Sequence, residues 1–136
     1  MCDAGGMTSR MAEISVRYIV DDIDKAVDFY TGHLEFEVGM GPGPGFVMLR
    51  RSGLQLFLNT PGGGGGAGEP SGGKIPEPGG WNRFRIEVED LSSIVEKLAG
   101  DGVDFRGDII EGRGGRQIIV DDPAGNPIEL FEPKPA

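Results

Sequence analysis

The chain has 136 residues, 38% hydrophobic and 26% charged, which is one domain's worth of ordinary soluble composition. A net charge of −9 without a basic stripe disfavours a nucleic-acid backbone as partner, and no apolar run approaches a membrane span. Cys2 and His33 are the only cysteine and histidine, so a disulfide framework and a thiolate or multi-imidazole metal cluster are excluded too.

Residues 1–11 read as a disordered tail without the apolar stretch of a secretory signal, which makes the cytoplasm the default compartment. Residues 12–59 form a first unit. Its strand ISVRYIV ends in an acidic pair. Asp22 then caps a helix whose apolar stripe is Ile23, Ala26, Val27 and Tyr30. Gly32 sits where a left-handed helix cap is expected. His33, beside it, reads as a surface residue facing the helix dipole. GFVMLRRSGLQLFLN then reads as two strands around a turn at Arg51-Ser52-Gly53.

Residues 60–80 are Gly- and Pro-rich, and read either as a passive linker or as a flap over a pocket. Residues 81–133 repeat the first unit. In GGWNRFRIEVEDL, Phe84, Ile86 and Val88 alternate with Arg83, Arg85, Glu87 and Glu89, which gives a strand with one apolar and one charged face. Asp90 is the cap, Leu91, Ile94, Val95 and Leu98 are the stripe, and Gly100 is the expected helix end. GRQIIVDDPAGNPIELFEP supplies two strands around a turn at Asp122–Asn126. Residues 54–58 align with 128–132. The chain is thus two βαβββ modules, an ordered repeat of about half its length.

Paired βαβββ modules, the phrase VDDIDKAVDFYTGHLEFEV and the ending DDPAGNPIELFEP resemble the vicinal oxygen chelate superfamily of glyoxalases, bleomycin resistance proteins and extradiol dioxygenases. The resemblance spans residues 14–133. It implies an α+β fold in which the modules form a curved, half-closed eight-stranded sheet around a cavity, with helices outside. Sheet parity then turns Ser15, Arg17, Gln55, Phe57, Arg83, Arg85, Glu129 and Phe131 toward the cavity, and Trp81 lies near its mouth.

Metal-dependent members usually carry a His on the first strand of each module and a Glu or Gln on the last. The resemblance carries these positions onto Ser15, Arg83, Gln55 and Glu129. Gln55 and Glu129 have donor oxygens, but Arg83 has no lone pair to give and carries its own positive charge. Neither a metal nor another cofactor is expected. Arg83 and Glu129 are expected to form a buried ion pair instead, structural or ligand-contacting. The implied function is metal-independent binding of a small organic ligand, by a homodimer. The acidic surface favours a cationic ligand, and the arginines favour an anionic or carbonyl group. Two alternatives stand beside it. One is a lyase or isomerase with Glu129 as general base and Arg83 as electrostatic stabiliser. The other is a degenerate-site paralogue that binds a partner.

Overall fold

The computed structural model describes residues 14–62 and 72–135. The expected tail over residues 1–11, and residues 63–71 of the Gly/Pro-rich stretch, lie outside them. The first module runs β1 (Ser15–Ile19), α1 (Ile23–His33), β2 (Glu37–Gly43), β3 (Phe46–Arg51) and β4 (Leu54–Asn59). The second runs β5 (Phe84–Glu87), α2 (Leu91–Gly100), β6 (Asp104–Phe105), β7 (Ile110–Glu111), β8 (Gly115–Asp121) and β9 (Pro127–Pro133). The α+β fold with two βαβββ modules is the one expected. Among the described residues the strands number nine, because the edge of the second module is split into the two-residue β6 and β7. They form two sheets, in the orders β1-β4-β3-β2 and β5-β9-β8-β6, with β7 also on β8. The first strand of each module pairs parallel with its last strand. No helix among the described residues is long and apolar enough to cross a membrane.

Both helices start where their caps dictate. The Asp22 carboxylate accepts from the Lys25 amide at 3.1 Å, and Asp90 accepts from the Ser93 amide at 3.1 Å. That satisfies donors a helix start leaves orphaned. The ends differ from expectation. Gly32 and Gly100 are helical, and the left-handed residues are Glu35 and Gly102. In the first module, burying Leu34 carries the helix onward, with its amide bonded back to Tyr30 at 3.2 Å. In the second, Val103 bonds back to Leu98 and Gly102 to Ala99, which is the Schellman closure.

Sheet parity decides which residues are dry. Tyr18 and Val20, Val47 and Leu49, Leu56 and Leu58, Ile86, Ile118 and Val120, and Ile128 and Leu130 are all buried and join the helices in one core. The modules meet through this side. The Tyr18 and Phe84 rings lie 5.4 Å apart, and Phe36 is 6.1 Å from Phe84. The Tyr18 hydroxyl donates to the Pro127 carbonyl at 2.6 Å, and burial pushes its pKa up to about 12. The Tyr30 hydroxyl donates to Asp122 at 2.8 Å. Asp122 also accepts the amides of Ala124 and Asn126 and the Asn126 side chain, so one buried carboxylate organises the turn between β8 and β9. Burial raises its pKa, and these hydrogen bonds oppose the rise.

Candidate functional site

The opposite sheet faces are open and carry most of the expected residues. On the first sheet, Ser15 stands directly across from Gln55, and Arg17 from Phe57. The Ser15 hydroxyl donates to Gln55 Oε1 at 3.0 Å. The Arg17 guanidinium lies over the Phe57 ring, 4.9 Å from its centroid, and donates to Oδ1 of the buried Asn59 side chain. Phe46 flanks Phe57, with 6.0 Å between centroids.

The second sheet repeats these pairings along a diagonal. Its ladder sets Arg85 across from Glu129 and Glu87 across from Phe131, so β9 has slid two residues relative to the aligned sequence repeat. The long arginines span that offset, as diagonal neighbours in a sheet can. Arg83 donates from Nε to Glu129 Oε1 at 3.0 Å, and its Nη2 lies 2.8 Å from the same oxygen in an ion pair. Their side chains are 25% and 13% exposed, so the pair is sheltered but not sealed. The Arg83 Nη1 donates to the Trp81 carbonyl at 3.0 Å. The Arg85 guanidinium lies 4.2 Å from the Phe131 centroid.

Each contact just named stays within one module. The two sets are therefore two faces of similar design, and the hydrogen bonds and ring contacts that join the modules belong to the opposite, buried side. Trp81 departs most from expectation. Its ring is 65% exposed and packs on Arg106, 4.6 Å from the guanidinium, not beside the other predicted residues. Arg106 was not singled out in the sequence. Its guanidinium donates to Asp121 at 2.7 Å and to the carbonyls of Gly80 and Gly125, which fixes the start of the second module against the β8–β9 turn. His33 is likewise off these faces. It points toward Asp101, at 3.6 Å, beside a cleft of about 360 Å³ that also includes Phe29, Lys25 and Asp122. A second cleft, of about 520 Å³, runs from Leu34 and Arg51 to Glu87 and Lys97.

The four positions that hold a metal in metal-dependent members do not fit one here. Arg83 brings a fixed positive charge and holds Glu129 Oε1 in a hydrogen-bonded ion pair. Ser15 and Gln55 are neutral and bonded to each other. Among the described residues, no three His, Cys, Asp or Glu side chains converge.

Comparison with known proteins agrees with this fold. The structure superposes on a member of the glyoxalase/bleomycin resistance protein/dioxygenase superfamily from Sphaerobacter thermophilus DSM 20745 with a TM-score of 0.70 and 27% identity, covering 93% of this chain and 98% of that one. A lactoylglutathione lyase from Agrobacterium tumefaciens gives 0.67 and 20%, covering 91% and 96%. The antibiotic binding protein TnmS3 from Streptomyces sp. CB03234 gives 0.66 and 23%, covering 93% and 99%. No curated protein matches. Residues 12–130 match the model of the Glyoxalase/Bleomycin resistance protein/Dioxygenase superfamily, and the chain belongs to that superfamily.

Proposed function

We propose that this protein binds a small organic molecule on its open sheet faces without a metal ion. The observation that carries the reading is the Arg83–Glu129 pair. A guanidinium stands where a metal-dependent relative has a ligand, and it engages the one carboxylate of the four positions. A divalent ion placed there would face a like charge and compete for the same oxygen. Catalysis by Glu129 as general base gains little from this arrangement, because the Arg83 guanidinium already holds Oε1 in a hydrogen-bonded ion pair.

We propose further that the working form is a cytoplasmic homodimer. Support for the dimer comes from exposure. Ser15, Arg17 and Arg85 are exposed and Phe57 and Phe131 half-buried, on faces that a second copy would enclose. Enclosure is what turns a decorated sheet into a pocket able to bury most of a ligand.

The test is an amide-resolved NMR titration of the protein with small-molecule fragments in EDTA. Shifts at Gln55, Phe57, Glu129 and Phe131 are expected with no metal present. Fragment binding that appears only after a divalent ion is added would overturn the reading.

A further inference from the structure

We propose that the ligand is an organic monoanion, a carboxylate on a flat apolar body, held by Arg17 on the first sheet face and by Arg85 on the second. This inference rests on the ligand-binding reading above and names the chemistry that reading leaves open. It starts from how the arginines are partnered. Arg51, Arg83, Arg106 and Arg116 are each within ion-pair distance of a carboxylate: Glu35, Glu129, Asp121 and Glu132 respectively. Among the described residues, Arg17 and Arg85 have no carboxylate partner. Each instead lies on a phenylalanine ring, Phe57 or Phe131. They hold equivalent positions on the first strands of the two modules. Arg50 and Arg113 also lack a carboxylate partner, but neither is braced by a ring.

Stacking has a chemical consequence. The ring covers one flat side of the guanidinium and orders it, while the N–H groups remain in the plane and point outward. A carboxylate meets such a fork edge-on through both oxygens. Among the described residues nothing takes an Arg85 donor, and Arg17 keeps those not given to Asn59. In a chain of net charge −9, long-range attraction does not gather anions, so selection has to be local.

The surroundings set the anion's charge and body. The open face of β1 and β4 carries Ser15, Arg17, Ile19, Gln55, Phe57 and Asn59, with no carboxylate. On β5 and β9 the carboxylates are Glu129, taken by Arg83, and Glu87. Each face thus carries one exposed carboxylate beside its arginines, Glu37 across from Arg50 on the first and Glu87 across from Phe131 on the second, which suits a monoanion better than a phosphate dianion. The Phe57–Phe46 pair and Phe131 offer apolar surface beside the fork, where a flat body can rest.

Three probes of one shape make the test: 2-naphthoate, 2-naphthamide and 2-naphthylmethylammonium, titrated in EDTA and followed by NMR. The carboxylate is expected to bind about tenfold or more tighter than the amide, since hydrogen bonds to a charged group are the stronger kind. In an R17M/R85M variant the carboxylate's advantage over the amide should vanish, while R50M/R113M keeps the preference. Arg17→Lys and Arg85→Lys are companion variants that keep the charge and lose the fork, and they should recover only part of the preference. An amide or ammonium that binds as tightly as the carboxylate overturns the proposal and leaves ligand binding standing. A carboxylate preference that survives in R17M/R85M overturns the assignment to these residues. If no probe shifts any amide on the two faces, both this proposal and the binding reading fall.

Discussion

Removing one member of the Arg83–Glu129 pair and then both separates a sheltered ion pair from two solvated charges. Stranding one member of a fully buried pair costs about 3–5 kcal/mol. This pair is less extreme. Arg83 is a quarter exposed and Glu129 about an eighth, so water can reach whichever charge remains. Arg83 would also keep its bond to the Trp81 carbonyl if Glu129 were removed. Weighing the hydrogen-bonded ion pair against that access gives about 1–2 kcal/mol for Arg83→Met and a similar loss for Glu129→Leu. The double variant has no unpaired charge and fills the space with apolar atoms, so it should lie within ~1 kcal/mol of the parent. Urea unfolding followed by circular dichroism reads all four corners of the cycle. Losses that simply add in the double variant would refute the idea that the two side chains act as a unit.

Asp122→Ala should be the costlier change, at roughly 3 kcal/mol, because it strips the acceptor from the fully buried Tyr30 hydroxyl and from two turn amides. A thermal melt of this variant, compared with Tyr30→Phe, checks it: Tyr30→Phe should lose less, since it leaves no buried donor behind. The pH dependence has a definite sign at Glu132. The Leu91 amide, then Arg116, hold its carboxyl below the ordinary glutamate range, so its contribution is present above that range and lost as pH falls through the folded-state value. Glu132→Gln should therefore flatten the acid side of a stability-versus-pH curve, and an unchanged slope would contradict the role given to the Leu91 amide. Gly115→Ala should cost about 1–3 kcal/mol in chemical unfolding, since its Cβ would stand 2.0 Å from the Glu132 carbonyl oxygen.

The fold was legible because each local signal stated the same plan twice. Asp22 and Asp90 cap their helices, and the turns at Ser52–Gly53 and 122–126 fall where predicted. Alternation at residues 83–88 divides the strand into a dry face and an open face. Side-chain type alone also suggested that Arg83 and Glu129 pair. Register was harder to read. Nothing local in IELFEP fixes how far β9 slides along β5, and the two-residue offset appears only in the ladder. Helix ends were misplaced because a glycine permits a left-handed turn without compelling one, and burial of Leu34 carried α1 past Gly32. Arg106 was invisible because its partners, Gly80, Asp121 and Gly125, are scattered along the chain and two of them offer only backbone carbonyls. The acceptor role of Asp122 was within reach, since an Asp opening a Pro–Ala–Gly–Asn turn commonly binds the amides that follow it.

The proposed binding without metal rests on an ion pair in place of a metal ion on these sheet faces. Elemental analysis of protein expressed in medium replete with Zn, Ni, Mn and Fe, then exchanged into metal-free buffer, tests it most directly. The expected content is far below one ion per chain, with a melting temperature that EDTA does not move. A content near one ion per chain, lost on chelation together with several degrees of melting temperature, would contradict the account.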